Sequence, residues 1–405
     1  MALDLGKTAH QIETMTDDLR AQQSGKLQRL DNALEVVANF NTNTYEEQRS
    51  RSAQTLAPAW RSAPVVNAPP SVRLSAPALP DDFCVVAVDG SHIDVDRHIP
   101  ARCFLINIGT CVLTYGSQPD AVLTSEPRLY AQNDELVIQD PNAKHQQQYI
   151  QGGTLGAKRA VEEIRGLVDA VRKLPADLPT LAMMDGTLIM FIDRGIQEFV
   201  VDELVKDGFV AALDELRSLA EERPLAVAAY VSLPAYAEFM RAVRVSTCPH
   251  EISDCGVYCG QLPSGSRPCD DSAEGILDRE VFARLLDQGQ RTAVFNSNDS
   301  LVNQSYGDHG ISFFYVNSGE EIGRVEIPSW IAQDEAMLGL THSLVLDQCR
   351  RGPGYPVSLM EAHEQAVVTT SDRRYFVELV EDSLQDSHMA VFTSEKNRSK
   401  RLRWL

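Results

Sequence analysis

The chain holds no apolar run long enough to cross a bilayer, which takes about 20 consecutive apolar residues. Its opening stretch, Met1 to Arg20, is polar and lacks the apolar centre of a secretory signal. The expectation is a cytoplasmic protein with no membrane partner. Cysteine is scarce, 8 in 405 residues, which excludes a disulfide scaffold and leaves reduced thiols as the default. Positive charge is also short: 37 Lys and Arg stand against 57 Asp and Glu, a net −20. That excludes a protein that coats nucleic acid by bulk attraction. It leaves room for an enzyme with a local basic channel, and an acidic site that collects divalent cations would add to the negative count. No glycine-rich phosphate loop and no solenoid-type repeat occurs. What is present, 43% hydrophobic and 23% charged residues, is enough for a sizeable core in one large domain or two.

Hydrophobic spacing organises the chain. Leu27, Leu30, Leu34 and Val37 recur at helical spacing in a polar N-terminal arm, read as a packing or dimer helix. Pro58 to Pro80 is a proline-rich linker or extended crossing segment. The boundaries expected are an arm and linker over 1–80, a main domain over 81–390 with a cysteine-rich insert at 246–275, and a basic tail over 391–405. Within the main domain, apolar runs predict strands at 83–88, 102–114, 181–184, 225–232, 292–295, 311–317 and 324–327, with a further strand within 121–138. Helical stripes fall at 155–174, 198–222, 235–245, 277–288, 334–351 and 357–369. Strands alternating with helices indicate an α/β architecture around one mixed central sheet.

The most informative feature is an echo. Val86-Ala87-Val88-Asp89-Gly90-Ser91 and Ala182-Met183-Met184-Asp185-Gly186-Thr187 share one design: a buried strand, then aspartate, glycine and a hydroxyl residue. One copy alone reads as a turn in which the aspartate bonds nearby backbone amides. Two copies favour a site. A carboxylate at the exit of a buried strand is costly to desolvate without a partner, and two such carboxylates side by side call for a divalent cation. Sugar-kinase-like and actin-like folds, which hold Mg²⁺ and phosphates this way, also fit. Glu162 and Glu163 flank the apolar stripe of the helix before the second aspartate. Tyr355 lies in a Pro/Gly turn, and His363 on a mostly apolar helix where a satisfied core histidine is the commoner outcome.

These motifs resemble the NurA nucleases. The likeness runs from Phe83 to about Leu384. It rests on the Asp89 and Asp185 strands, Ala-Tyr-Val-Ser at Tyr230, Phe313-Phe314-Tyr315, Arg324-Val325-Glu326-Ile327-Pro328, and Gly354-Tyr355-Pro356 with Glu361-Ala362-His363-Glu364-Gln365-Ala366-Val367. The resemblance implies an RNase H-like fold, Mn²⁺-dependent DNA cleavage, a homodimer, and partnership with the hexameric ATPase HerA in DNA end resection for double-strand break repair. It also implies single-strand endonuclease and exonuclease action. By matching motifs, Asp89, Asp185 and a preceding glutamate (Glu163, with Glu162 the alternative) are the metal ligands, and Tyr355 and His363 complete the site. Two metal ions so held would activate a water and neutralise the leaving oxygen. Oxygen-rich ligation suits Mg²⁺ or Mn²⁺, and an added imidazole from His363 favours Mn²⁺.

Four cysteines, Cys248, Cys255, Cys259 and Cys269, cluster in the insert beside His250. A structural Zn²⁺ or an iron–sulfur cluster would explain the clustering, although the spacing is not that of a zinc ribbon; free surface thiols are the alternative. Lys396, Arg398, Lys400, Arg401 and Arg403 make the tail basic. Arg350 and Arg351 stand nearer the Tyr355 turn and are better placed for a phosphate. Tyr230 and Phe313 to Tyr315 are candidates for base stacking or for core. Besides the nuclease, two readings stay open: a phosphotransferase of actin-like fold, and an inactive adaptor for a DNA-translocating ATPase.

Overall fold

The computed structural model describes residues 4–53, 62–95, 101–143, 145–193, 195–263 and 265–389. The basic tail lies outside the described residues. The chain forms two compact units.

One unit comprises Pro77–Val231, Leu301–Ile311 and Glu326–Leu405. Its sheet is built from β1 (Phe83–Ile93), β2 (Phe104–Tyr115), β3 (Asp120–Tyr130), β4 (Thr180–Asp185) and β5 (Leu225–Val231). The order across the sheet is β3-β2-β1-β4-β5. The first three strands are antiparallel, and β4 and β5 run parallel to β1. This is the expected RNase H-like mixed sheet. Phe83 to Val88 are buried on both faces of β1, which is why the sequence reads as an unbroken apolar run there. One face packs Cys84, Val86, Val88, Ala182 and Met184 against Val161, Ile164, Leu167, Val168 and Val171 of α1 (Gly153–Arg172). The other face is covered by α2 (Glu335–Arg351) and α3 (Val357–Ala366). Gly109 of β2 allows α3 to lie flush, since a Cβ there would collide with the Ala362 carbonyl and the Ala366 amide. The helix α4 (Thr370–Asp386) follows, its Phe376, Val377 and Val380 against Ile93 and Cys103.

Two expectations need correction here. Asp89-Gly90-Ser91 does not end its strand: β1 continues to Ile93, paired with β2 as far as Ile93 opposite Leu105. The parallel pairing with β4 stops at Val88 opposite Met184, so beyond that point β2 alone holds the strand. Only the second copy of the motif turns, with Gly186 at φ 87°. The helix expected over 198–222 also changes pitch, with a π-helical stretch at Asp202–Val210 between two α-helical segments.

The second unit comprises Met1–Ala76, Ser232–Ser300 and Ser312–Val325. Its long first helix, Leu5–Ala38, buries Leu30, Ala33 and Val37 in a core with Tyr45, Phe239, Val243, Phe282, Phe295, Phe313 and Tyr315. Leu27 stays exposed. The strand predicted at 292–295 is replaced by two short ones, Gln290–Arg291 and Phe295–Asn296. The aromatics Phe313, Phe314, Tyr315 and, in the first unit, Tyr230 are fully buried, so core packing and not base stacking accounts for them.

Candidate active site

The site assembles within the unit that carries β1 to β5. Asp89 projects from β1 toward α3, where its Oδ2 lies 2.7 Å from His363 Nδ1. An ionised carboxylate only accepts, so Nδ1 is the donor in this contact. Asp185 ends β4, and its Oδ1 accepts a 2.7 Å hydrogen bond from the Tyr355 hydroxyl. The Tyr355 ring stands edge-on to Tyr230, with centroids 5.6 Å apart. Burial raises the Asp185 carboxyl above its ordinary range; the Tyr355 bond opposes this and the Asp89 charge adds to it.

Glu163 comes from α1, on the other face of the sheet. It is 7% exposed, and its Oε1 sits where a Cβ on Gly90 would come within 2.5 Å. Gly90 therefore serves as a gap through which the glutamate approaches the strand. Burial is the main reason the Glu163 carboxyl rises to about 7; Arg159 works against that rise, and Asp89 and Asp185 reinforce it. Arg159 Nε lies 3.0 Å from Oε1. The angle is poor for a hydrogen bond, and both atoms are buried without a hydrogen-bonded partner. Glu162 points elsewhere, paired with Lys158 at 2.8 Å, Arg165 at 3.5 Å and Arg128 at 3.6 Å. Of the two glutamates, it is Glu163 whose carboxyl is coupled to both aspartates.

Asp89, Asp185, Glu163, Tyr355 and His363 are thus brought to one region. They are not closed around a point: among the described residues no three His, Cys, Asp or Glu side chains are arranged to hold an ion. Each aspartate instead spends an oxygen on His363 or Tyr355. The chemistry of the set still fits a hard divalent cation, being rich in carboxylate oxygen with one imidazole, and Glu163 Oε1, ion-paired with Arg159 but without good hydrogen-bond geometry, keeps acceptor capacity for a further partner.

In the cysteine insert the described residues bring no ligand set together. Its four cysteines form no disulfide, with Cys259 and Cys269 buried and Cys248 and Cys255 partly so. Cys269 Sγ instead accepts from Arg244 at 3.2 Å, and no group of ligands converges there among the described residues. The irregular spacing was the warning. Arg351 is likewise engaged, paired with Asp347 at 2.6 Å and lying over the Tyr115 ring at 4.1 Å. Two supporting residues escaped sequence reasoning. Arg159 was signalled only by its i, i+4 spacing to Glu163. Glu326, fully buried, accepts from the Thr187 hydroxyl at 2.6 Å and the Leu188 amide at 2.9 Å, fixing the turn after Asp185. Nothing in a strand reading marks such a residue beyond its being charged.

A mixed sheet with an aspartate on each of two neighbouring strands, and a buried glutamate reaching the strand from the opposite face, defines an α/β protein with an acidic centre. The NurA domain model matches residues 84–368, most of the chain, and the chain belongs to the NurA family. Among solved structures it is similar to the NurA nuclease from Sulfolobus solfataricus, at 11% identity and TM-score 0.49, over 93% of this chain and 98% of that one. A NurA structure with bound dAMP and manganese matches at 13% identity and TM-score 0.36, over 76% of this chain and 90% of that one. No curated protein matches by sequence.

Proposed function

We propose that this chain is a metal-dependent deoxyribonuclease, with Mn²⁺ (or Mg²⁺) held by Asp89, Glu163, Asp185 and His363. The observation that carries the reading is Glu163: a buried carboxylate with Arg159 as its ion-pair partner, in the field of two aspartates. Anionic oxygen in such excess is stable only with a cation or a proton.

A bound divalent cation supplies Lewis acidity for the phosphate and a lowered pKa for an attacking water. The protein's own groups do the remainder. Asp89 and Asp185 fix the position of the scissile phosphate by fixing the cation. With Nδ1 anchored on Asp89, His363 has Nε2 left for one of two tasks, completing the cation's ligand set or taking a proton from water. The Tyr355 hydroxyl, locked by Asp185 and Tyr230, can donate to a phosphate oxygen when the carboxylate turns to the cation. Glu163, above its ordinary range here, would be among the residues that hold the cation, and binding there would favour its ionised form.

Membership of the family extends the proposal to single-strand endonuclease and exonuclease action, to DNA end processing in double-strand break repair, to a homodimer and to a HerA-type hexameric ATPase as partner. The proposal keeps the expected division into an arm and linker over 1–80, a nuclease domain over 81–390 with the cysteine-rich insert at 246–275, and a tail over 391–405. Digestion of single-stranded and duplex DNA with Mn²⁺, compared with Asp89→Ala, is the test. Loss of digestion in a folded variant supports the proposal. ATP hydrolysis by the chain alone, without digestion, would replace it with the phosphotransferase.

A further inference from the structure

The loop after Asp185 is unusually apolar. Leu188, Ile189, Met190, Phe191 and Ile192 follow one another. Leu188 and Met190 are buried in the core of the unit, and Ile189 and Ile192 pack against it. Phe191 alone turns outward, 79% exposed. Leaving a phenylalanine in water forgoes roughly 1.5–3 kcal/mol of burial, and a mobile loop would fold such a ring down. This loop cannot easily do so. Glu326 holds Thr187 and Leu188 from below. Tyr306, fully buried, donates its hydroxyl to the Leu188 carbonyl at 2.9 Å and accepts from the Met190 amide at 2.8 Å. At the far end the Asp193 carboxylate rests against the N-terminus of α1 at Gly153. The ring is therefore presented on a pinned turn, six residues after the candidate ligand Asp185. Gly153 and Glu163 are ten residues apart on α1, about 15 Å along its axis, a span of a few nucleotides.

We propose that Phe191 is a stacking platform for an unpaired nucleobase, gripping single-stranded DNA a few nucleotides from the scissile phosphate. The inference rests on the nuclease reading of the Asp89–Asp185 site. An aromatic face takes any base, since every base has a π-face, so the contact gives grip without sequence preference. It also favours strands whose bases are already unpaired, because stacking on a protein ring requires the base to leave its own stack.

The test uses the full chain and ten-nucleotide single strands, with Ca²⁺ replacing Mn²⁺ for binding and Mn²⁺ for cleavage. Because Phe191 is exposed, its variants should fold. Phe191→Ala is expected to bind about 5- to 150-fold more weakly, with KM raised and kcat little changed. Phe191→Trp restores binding and Phe191→Leu does not. The decisive arm is a series of strands each carrying one abasic site: at the stacked position the Phe191→Ala penalty vanishes, and elsewhere it persists. A penalty of the same size on every abasic strand overturns the proposal, as does wild-type affinity in Phe191→Ala. So does a change of sedimentation in Phe191→Ala with DNA affinity unaltered, which would make the ring a protein contact. A wild-type chain that neither binds nor cuts DNA overturns the nuclease reading itself, whereas a wild type that cuts while Phe191→Ala matches it overturns the platform alone.

Discussion

Glu163 is the residue on which the electrostatics turn. Its carboxyl is held near 7 by burial and by Asp89 and Asp185, against an ordinary value of 4.5. Between those values the folded chain binds more protons than the unfolded chain, so stability falls as pH rises through that window and levels off above it. Metal-free protein should therefore melt at a lower temperature at pH 7.5 than at pH 5. Glu163→Gln should flatten that slope, and Mn²⁺ should raise the melting temperature of the wild type at pH 7.5 but much less that of the variant. A pH slope in Glu163→Gln as steep as in the wild type would assign the effect to other groups. On the proposed reading Tyr355 orients Asp185 through its 2.7 Å hydrogen bond, and such partners of a metal ligand are worth about 10- to 100-fold in metal affinity or activity. Tyr355→Phe should lose that much in Mn²⁺ titrations while melting within a few degrees of the wild type.

At the scale of elements, two glycines decide how helices meet the sheet. A methyl on Gly90 would come within 2.5 Å of Glu163 Oε1. Gly90→Ala should displace the glutamate and weaken Mn²⁺ binding while the strand, paired on to Ile93, stays folded; circular dichroism with calorimetric titration separates the two effects. Gly109→Val should push α3 off β2, costing about 1–3 kcal/mol as overpacking does, and should part His363 from Asp89. The strands and helices themselves were legible because burial imposes clear periods: the unbroken run of β1 and the stripe Val161, Ile164, Leu167, Val168, Val171 both lie where the pattern puts them. The end of β1 was not legible. Asp-Gly-Ser is turn-like in itself, and only the long partner β2, 11 register positions opposite β1, keeps the strand extended.

For the whole molecule, sequence pattern gave the α/β class and the aspartate pair, because a carboxylate ending an apolar strand is visible without coordinates. It did not show that 1–76 shares a compact unit with 232–300, since such contacts are between distant segments with no local signal. Nor did it show the buried network there: Asp278 accepts from the Phe239 and Met240 amides at 2.9 Å each and from the Tyr315 hydroxyl at 2.7 Å. Asp278→Ala leaves three donors unpaired, at about 1–3 kcal/mol for each unsatisfied group. It should lower the melting temperature sharply and leave the Mn²⁺ affinity of surviving folded protein unchanged. The cysteine cluster was legible as a cluster, but its ligand geometry was not, since spacing alone does not say which thiols meet; zinc and iron analysis of purified protein decides between a metal site and thiols.

The central claim is that Asp89, Glu163 and Asp185 share a cation with DNA. The most direct measurement is anomalous scattering at the manganese edge from crystals of the protein soaked in Mn²⁺. The account predicts a peak bounded by carboxylate oxygens of all three residues at roughly 2.1 Å, lost in Asp89→Ala. DNA cleavage by crystallised material with no peak at these carboxylates, or a peak held by other residues, would contradict it.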